Sequence, residues 1–296
     1  MIILANLDCE ARWAGAPLPL RVLRRISAAA ALLAYLVADG DVEVWAPAEV
    51  DPERLSLDRL VTMRTGTPPR YDLAWAAPGA KAANDRRLAL AVHAQLGTLL
   101  PGARAITSAG ELDGMRGAWV AKAPWTAAGR DRIHGDGPPS VEQRVYATRL
   151  IERCGALLVE PWLQRVVDVG VTARLDAGRV TAAPPHTLLT DPRGTFLGID
   201  LAEPPLSAAE RADLDRAVAA AGAALAAAGY TGPFTVDAFV HGPERRLHRC
   251  EINARHTFGH VARALGARVL GFSPAPAGAT TLIAPTADDP FTAWRA

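Results

Sequence analysis

Apolar and polar positions change rhythm several times along the 296-residue chain. Residues 2–5 are a short continuous apolar run, expected as a buried strand. Residues 21–38 (RVLRRISAAAALLAYLVA) place apolar side chains at helical spacing up to the stop Asp39-Gly40, and residues 42–46 (VEVWA) predict a second strand. Strand, helix and strand in that order imply a small parallel α/β lobe. No Gly-x-Gly-x-x-Gly follows the first strand, so the lobe is not read as a dinucleotide fold. Residues 51–80 are proline-rich and irregular, with one strand expected at 72–76.

Further on, a helix is expected at 83–96, closed by Gly97, and a strand at 117–122 (GAWVAK). The stretch 123–137 has no core pattern and reads as a loop of small and basic residues. Ser140 with Gln143, and Ser207 with Glu210, have the spacing of capping boxes for helices closed by Gly155 and Gly229. Strands are expected at 156–160, at 168–174 and 178–183 around the turn Asp176-Ala177-Gly178, and in a hairpin of 234–240 with 247–253. The tail from about 271 carries no assignable pattern, and no internal repeat is visible.

Composition narrows the classes. The chain is 50% hydrophobic and 21% charged, with a formal net charge of +1. It therefore reads as globular, with neither nucleic acid nor an anionic membrane as its main partner. Cys9, Cys154 and Cys250 are scattered and form no CxxC pair, the N-terminus lacks a signal-peptide pattern, and no run reaches the ~18 apolar residues of a membrane span. A cytoplasmic location is the expectation. Lys81 and Lys122 are the only lysines in a chain that otherwise uses arginine, which marks them as positions where a compact ammonium is wanted.

The hairpin carries the strongest chemical signal. If the connection HGPERR is symmetric about residue 244, Asp237 faces Glu251 and Thr235 faces Asn253, with Arg255 on the same side. Two opposed carboxylates repel, and a divalent cation between them removes the penalty. Two carboxylates and an amide oxygen suit Mg²⁺, with Mn²⁺ as the alternative. A solvated polar stripe is the competing reading, and a one-residue slip would send Asp237 to the other face. Lys122 ends the strand AWVAK, and the loop beyond it offers Ala128, Gly129 and Arg130. Small residues let backbone N–H groups approach an anion, so this segment reads as a phosphate flap or as an ordinary connection. A Walker P-loop is absent.

Taken in order, these pieces resemble the ATP-grasp superfamily over roughly residues 80–265: a basic helix start at ANDRR, the lysine strand WVAKAPW, the loop AAGRDR, the strand LLVEPWL and the hairpin VDAF…EINAR. The resemblance implies an α/β (α+β) fold with a small N-terminal lobe (1–80), a central lid subdomain (81–160) and a C-terminal lobe carrying the metal hairpin (161–296). It implies ATP as cofactor, with Lys122, Ala128, Gly129 and Arg130 on the phosphates. Glu160, Pro161, Trp162 and Leu163 would form the adenine hinge, and Asp168 would meet the ribose. Asp237, Glu251 and Asn253 would bind the metal, and Arg255 would sit near the transferred phosphate. Arg86 or Arg87 stands where the family often has another lysine; Lys81 lies just upstream as a substitute.

Arg174, on a strand leading to a turn, reads either as a catalytic contact to a substrate anion or as a solvated edge residue. His256 and His260 read as packed or capping groups, and His134 and His186 carry less signal still. Trp125 and Trp162 read as packing residues beside the cleft. The activity implied is phosphorylation of a carboxylate by ATP, followed by capture with an amine or thiol. Small-molecule carboxylate and amine partners follow, and a homodimer is compatible with the reading. A kinase on the same fold, a silent nucleotide-binding module and a plain structural α/β protein are the alternatives.

Overall fold

The N-terminal apolar run becomes β1 (Ile2–Leu4), which lies inside a four-stranded parallel sheet. The computed structural model describes residues 1–126, 130–272 and 274–296. After β1 come α1 (Cys9–Trp13), α2 (Leu20–Ala30), β2 (Val42–Ala46), β3 (Val61–Thr65) and β4 (Leu73–Ala74), and the sheet order is β3-β2-β1-β4. The chain steps outward from β1 to β3 and returns to the other side at β4. The β1/β4 boundary is therefore a topological switch point, where a crevice opens at the carboxyl ends of the strands. The helix expected over 21–38 is α-helical only to Ala30; Ala31–Leu36 tighten into a 3₁₀ helix. Ala28 through Ala34 are buried on every side, so no amphipathic stripe holds the α geometry there, and small alanines permit the tighter turn.

Next come α3 (Arg86–Gln95), β5 (Arg104–Ile106), β6 (Ala118–Lys122), β7 (Arg132–Asp136), α4 (Val141–Cys154) and β8 (Leu157–Pro161). The four strands form an antiparallel sheet in the order β5-β8-β6-β7. β7 falls inside the stretch expected to be loop; it pairs with β6, Lys122 opposite Arg132. Both halves of the Ser140–Gln143 capping box form, and Gly155 closes α4 at φ 80°, in the left-handed region that favours glycine.

The remaining elements are β9 (Arg165–Asp176), β10 (Arg179–Ala182), β11 (His186–Thr190), β12 (Phe196–Asp200), α5 (Ala208–Ala227), β13 (Gly232–His241), β14 (Arg246–Asn253), α6 (Phe258–Leu265), β15 (Val269–Gly271), β16 (Thr280–Ile283) and β17 (Ala293–Arg295). They build an antiparallel sheet in the order β14-β13-β9-β11-β12-β15-β17-β16, with β10 on the end of β9. One face of this sheet buries Val169, Val171, Val236 and Ala238 against α3 and α5. The tail strands β16 and β17 extend the sheet toward the first lobe, where Arg54 donates to the carbonyls of Ala284 at 2.9 Å and Phe291 at 3.1 Å. Among the described residues, no helix is long and apolar enough to cross a membrane.

Candidate active site

The face of the large sheet turned away from α3 and α5 is the floor of a cleft that also takes lining residues from the segments carrying the two smaller sheets. Its chemistry begins with the β13–β14 hairpin. Counting outward from the turn, His241 pairs with Arg246 and Ala238 with Arg249. That register alone would set Asp237 opposite residue 250. A bulge between Asp237 and Ala238 shifts it by one, so Asp237 faces Glu251 and Thr235 faces Asn253. The pairing expected from a symmetric turn is therefore reached by way of the bulge.

The row continues across the sheet: Asp237 pairs with Gly170 on β9, and Gly170 with His186 on β11. Gly170 is required there. A Cβ at this position would lie 2.6 Å from His186 Nε2 and 3.3 Å from Asp237 Oδ1. Burial, reinforced by Glu251, pushes the Asp237 carboxyl up to about 7. Its Oδ2 accepts from Asn253 Nδ2 at 2.9 Å, while Asn253 Oδ1 accepts from Arg255 Nη2 at 2.9 Å.

A divalent cation needs oxygen donors, and Asp237, Glu251 and the Asn253 amide offer them on one face. The Asp237 carboxyl is raised chiefly by burial and then by Glu251, a cost that a cation beside it would lower. Among the described residues no cluster of three His, Cys, Asp or Glu side chains can hold a metal, so the amide is an essential part of this donor set.

The cations line the same cleft. Arg86, at the start of α3, donates to Ala123 O at 3.1 Å, Thr126 O at 2.7 Å and Glu251 Oε1 at 2.6 Å. It thus ties the loop after β6 to the hairpin. Of the three candidates near this helix start, only Arg86 lines the cleft: Arg87 pairs with Asp85, and Lys81 lies 4.5 Å above the Trp125 ring. Lys122 also lines the cleft and forms an ion pair with Glu160. Burial alone would raise the Glu160 carboxyl, but Lys122, with His248 beyond it, holds it well below the usual range. Arg130, Arg132 and Arg165 complete the basic wall, and burial disfavours the charged form of Arg130 and Arg132.

Asp168 accepts from Arg165 Nη1 at 2.6 Å and Thr190 Oγ1 at 2.8 Å and lines the cleft. Arg255 joins it as well, but its donors are engaged. Nε meets Glu10 Oε1 at 2.6 Å and Nη1 meets His256 O at 3.2 Å. Burial opposes ionisation of Glu10, yet the guanidinium keeps it ionised.

Several expected residues do not meet there. Arg174 shares a face of β9 with Asp168 and Gly170, but it lies beyond the cleft, largely exposed, and bonds Asp176 Oδ2 at 2.6 Å. Trp162 turns its ring onto His134, 4.5 Å between centroids, and its backbone N–H donates to Ala118 O at 2.9 Å. Pro161, Trp162 and Leu163 do not line the cleft with the others, and the Glu160 side chain faces Lys122. Ala128 and Gly129 lie outside the described residues. His256 and His260 are packed groups, on Ala74 O and Ala173 O respectively. Sequence reading gave no weight to Arg165 and Thr190. Arg165 and Asp168 are three apart in one strand, a spacing that regular alternation puts on opposite faces, so the pair depends on the register shift near Arg165 and had no sequence signal.

Neither a protein-family model nor a curated protein sequence matches the chain. Its fold is similar to solved structures. Campylobacter jejuni biotin carboxylase in a nucleotide complex superposes with TM-score 0.60 at 14% identity, over 90% of this chain and 67% of that one. The biotin carboxylase domain of Hydrogenobacter thermophilus 2-oxoglutarate carboxylase gives 0.57 at 11%, over 99% and 84%. N5-carboxyaminoimidazole synthetase from Staphylococcus aureus gives 0.53 at 14%, over 90% and 72%. At identities this low the likeness establishes architecture rather than activity, and that architecture is the ATP-grasp fold.

Proposed function

We propose that this chain is an ATP-dependent ligase: it phosphorylates a carboxylate at the expense of ATP and passes the acyl group to an amine or thiol. The observation that carries the reading is that carboxylates and cations line one cleft. Asp237, Glu251 and Asn253 line it together with Lys122, Arg130, Arg132 and Arg86, the last in contact with Glu251. A polyphosphate in this cleft would meet the cations directly, and Mg²⁺ held by the carboxylates would offset its remaining charge. Complexes with a nucleotide, with ADP, or with the magnesium salt of ADP and bicarbonate, named for the similar structures, support the same placement. The lobes 1–80, 81–160 and 161–296 supply, in this reading, the acceptor side, the lid and the metal hairpin.

Bound Mg²⁺ would neutralise phosphate charge, held by Asp237, Glu251 and the Asn253 amide oxygen. Burial disfavours the charged forms of Arg130 and Arg132, and incoming phosphate oxygens relieve that cost. A substrate carboxylate oxygen attacks the γ-phosphorus and the bond to the β-bridging oxygen breaks, ADP leaving with the electron pair. The amine nitrogen then attacks the acyl carbon, phosphate departs with the C–O electrons, and the amine loses a proton. Chemistry of this kind rests on positioning and charge, which is what the cleft offers, rather than on a side-chain nucleophile. Cys9 illustrates this: burial, with Glu10 beside it, pushes its thiol far up. Asp168, which lines the cleft, would hold the ribose in this reading.

The test is phosphate release from ATP with pools of carboxylates and amines, each alone and together. Release that requires both pools supports the ligase; release on a carboxylate or alcohol that no amine accelerates would instead indicate a kinase.

A further inference from the structure

The cleft is sharply divided. From β14 to β12 its floor runs Glu251 and Asn253, Thr235 and Asp237, then His186 and Leu188, then Ile199, passing from carboxylate to hydrocarbon. The apolar end is roofed by the first lobe. Leu7 follows β1 and Trp75 follows β4, the two strands flanking the switch point, and Ile26 comes from α2. Phe258, at the start of α6, packs on Trp75 with ring centroids 5.2 Å apart and leaves part of its surface facing the cleft.

The charges at this end are already spent on each other. Glu10 and Arg255 are fully engaged as a pair, with Arg255 Nη2 and Nε both on Glu10 Oε1. His186 stands on the floor where the polar half meets the apolar half. Arg263 Nη2 faces its Nδ1 at 3.5 Å, which leaves the proton on Nε2. That Nε2 is buried without a partner beside Asp237. A substrate lying here therefore finds the His186 N–H and, among the described residues, walls that are mainly apolar. Glu10 and Arg255 are taken up by each other, with Arg130 within electrostatic reach of Glu10, so a second charge carried on the skeleton would be buried largely against hydrocarbon, at a cost.

We propose, on the basis of the ligase reading above, that the carboxylate substrate is a simple monocarboxylic acid on an uncharged alkyl or aryl skeleton. The carboxylate points at the hairpin, and the skeleton lies against Trp75 and Phe258 at the β1/β4 crevice. Zwitterionic amino acids, dicarboxylates and bicarbonate are excluded as preferred substrates, the first two by unpaired charge and the last by leaving the apolar walls unfilled.

The experiment uses the full chain with Mg²⁺, ATP and hydroxylamine, which captures an acyl phosphate as a hydroxamate. Phenylacetate and hexanoate are compared with alanine, glutamate, succinate and bicarbonate, the last by phosphate release. ATP binding is measured separately by calorimetry. Phenylacetate or hexanoate should give hydroxamate at least about tenfold more efficiently than any charged competitor. Phe258→Leu and, as a milder probe, Ile26→Ala should raise KM for the apolar acid several-fold, with the larger effect on the longer skeleton. If ATP binds with Mg²⁺ but only a zwitterion, a dicarboxylate or bicarbonate turns over, or none of the acids does, the substrate class is wrong while the nucleotide site stands. If ATP does not bind at all, the ligase reading fails and this proposal with it.

Discussion

Asp237→Asn should make the metal-free protein more stable, not less. The carboxyl is raised from 3.8 to about 7 by burial and by Glu251, so above pH 7 the folded chain carries an ionised group in a place that disfavours it. A rise of that size corresponds to roughly 4 kcal/mol. The side chain is only half-buried and opens on the cleft, so screening by water lowers the expected gain to roughly 2 kcal/mol.

The sign follows from proton binding. Between pH 3.8 and about 7 the folded state holds more protons on this group than the unfolded state does, so wild-type stability falls as pH rises through that window. The asparagine removes the ionisation and keeps an oxygen to accept from Asn253 Nδ2. The assay is thermal and urea unfolding with chelator, at pH 4 and pH 8. The variant should exceed wild type at pH 8 by several degrees in Tm and converge with it at pH 4. Adding Mg²⁺ and ATP should reverse the order, because only wild type gains binding energy. An apo variant less stable than wild type at both pH values would refute the idea that the Asp237 carboxylate is a destabilising charge in the metal-free hairpin.

Gly170→Ala should destabilise by roughly 1–3 kcal/mol in urea unfolding, since its Cβ would meet His186 Nε2 at 2.6 Å. His186→Gln should flatten the acid limb of the stability profile. In the folded state His186 stays neutral down to about 3 whereas unfolded it protonates near 6.5, so wild-type stability falls as pH drops through that window. Arg86→Met should weaken Mg²⁺-ATP binding at least about tenfold, because it removes three hydrogen bonds joining the loop to the hairpin, whereas Arg87→Met, on an exposed pair with Asp85, should leave it near wild type.

What the sequence made legible is what short-range rules govern. The boxes at Ser140–Gln143 and Ser207–Glu210 form because each partner lies three residues away on the chain. The strand 42–46 is bounded as expected because its alternate residues fill one core. β3 and β7 escaped notice because Val61–Thr65 and Arg132–Asp136 carry polar residues on strands at the edges of their sheets. β11, β12 and the tail strands likewise mix exposure and burial, and only neighbouring strands define them. Asp237 and Glu251 were paired correctly, yet the bulge that pairs them has no sequence signature that we recognise. Arg174 follows the alternation that puts Asp168 in the cleft, but alternation fixes a face and not how far a cleft extends along it. The Glu10–Arg255 and Lys122–Glu160 pairs join residues 245 and 38 positions apart, a distance over which pattern carries no information.

The central claim is that this cleft binds ATP through a metal held by the β13–β14 hairpin. Calorimetric titration of the full chain with ATP, with and without Mg²⁺, alongside Glu251→Gln, tests it most directly. The account predicts that wild type binds ATP tightly only with Mg²⁺, and that the variant binds with the same low affinity whether or not the metal is present. Equal affinity of wild type with and without Mg²⁺, or no binding in either condition, would contradict it.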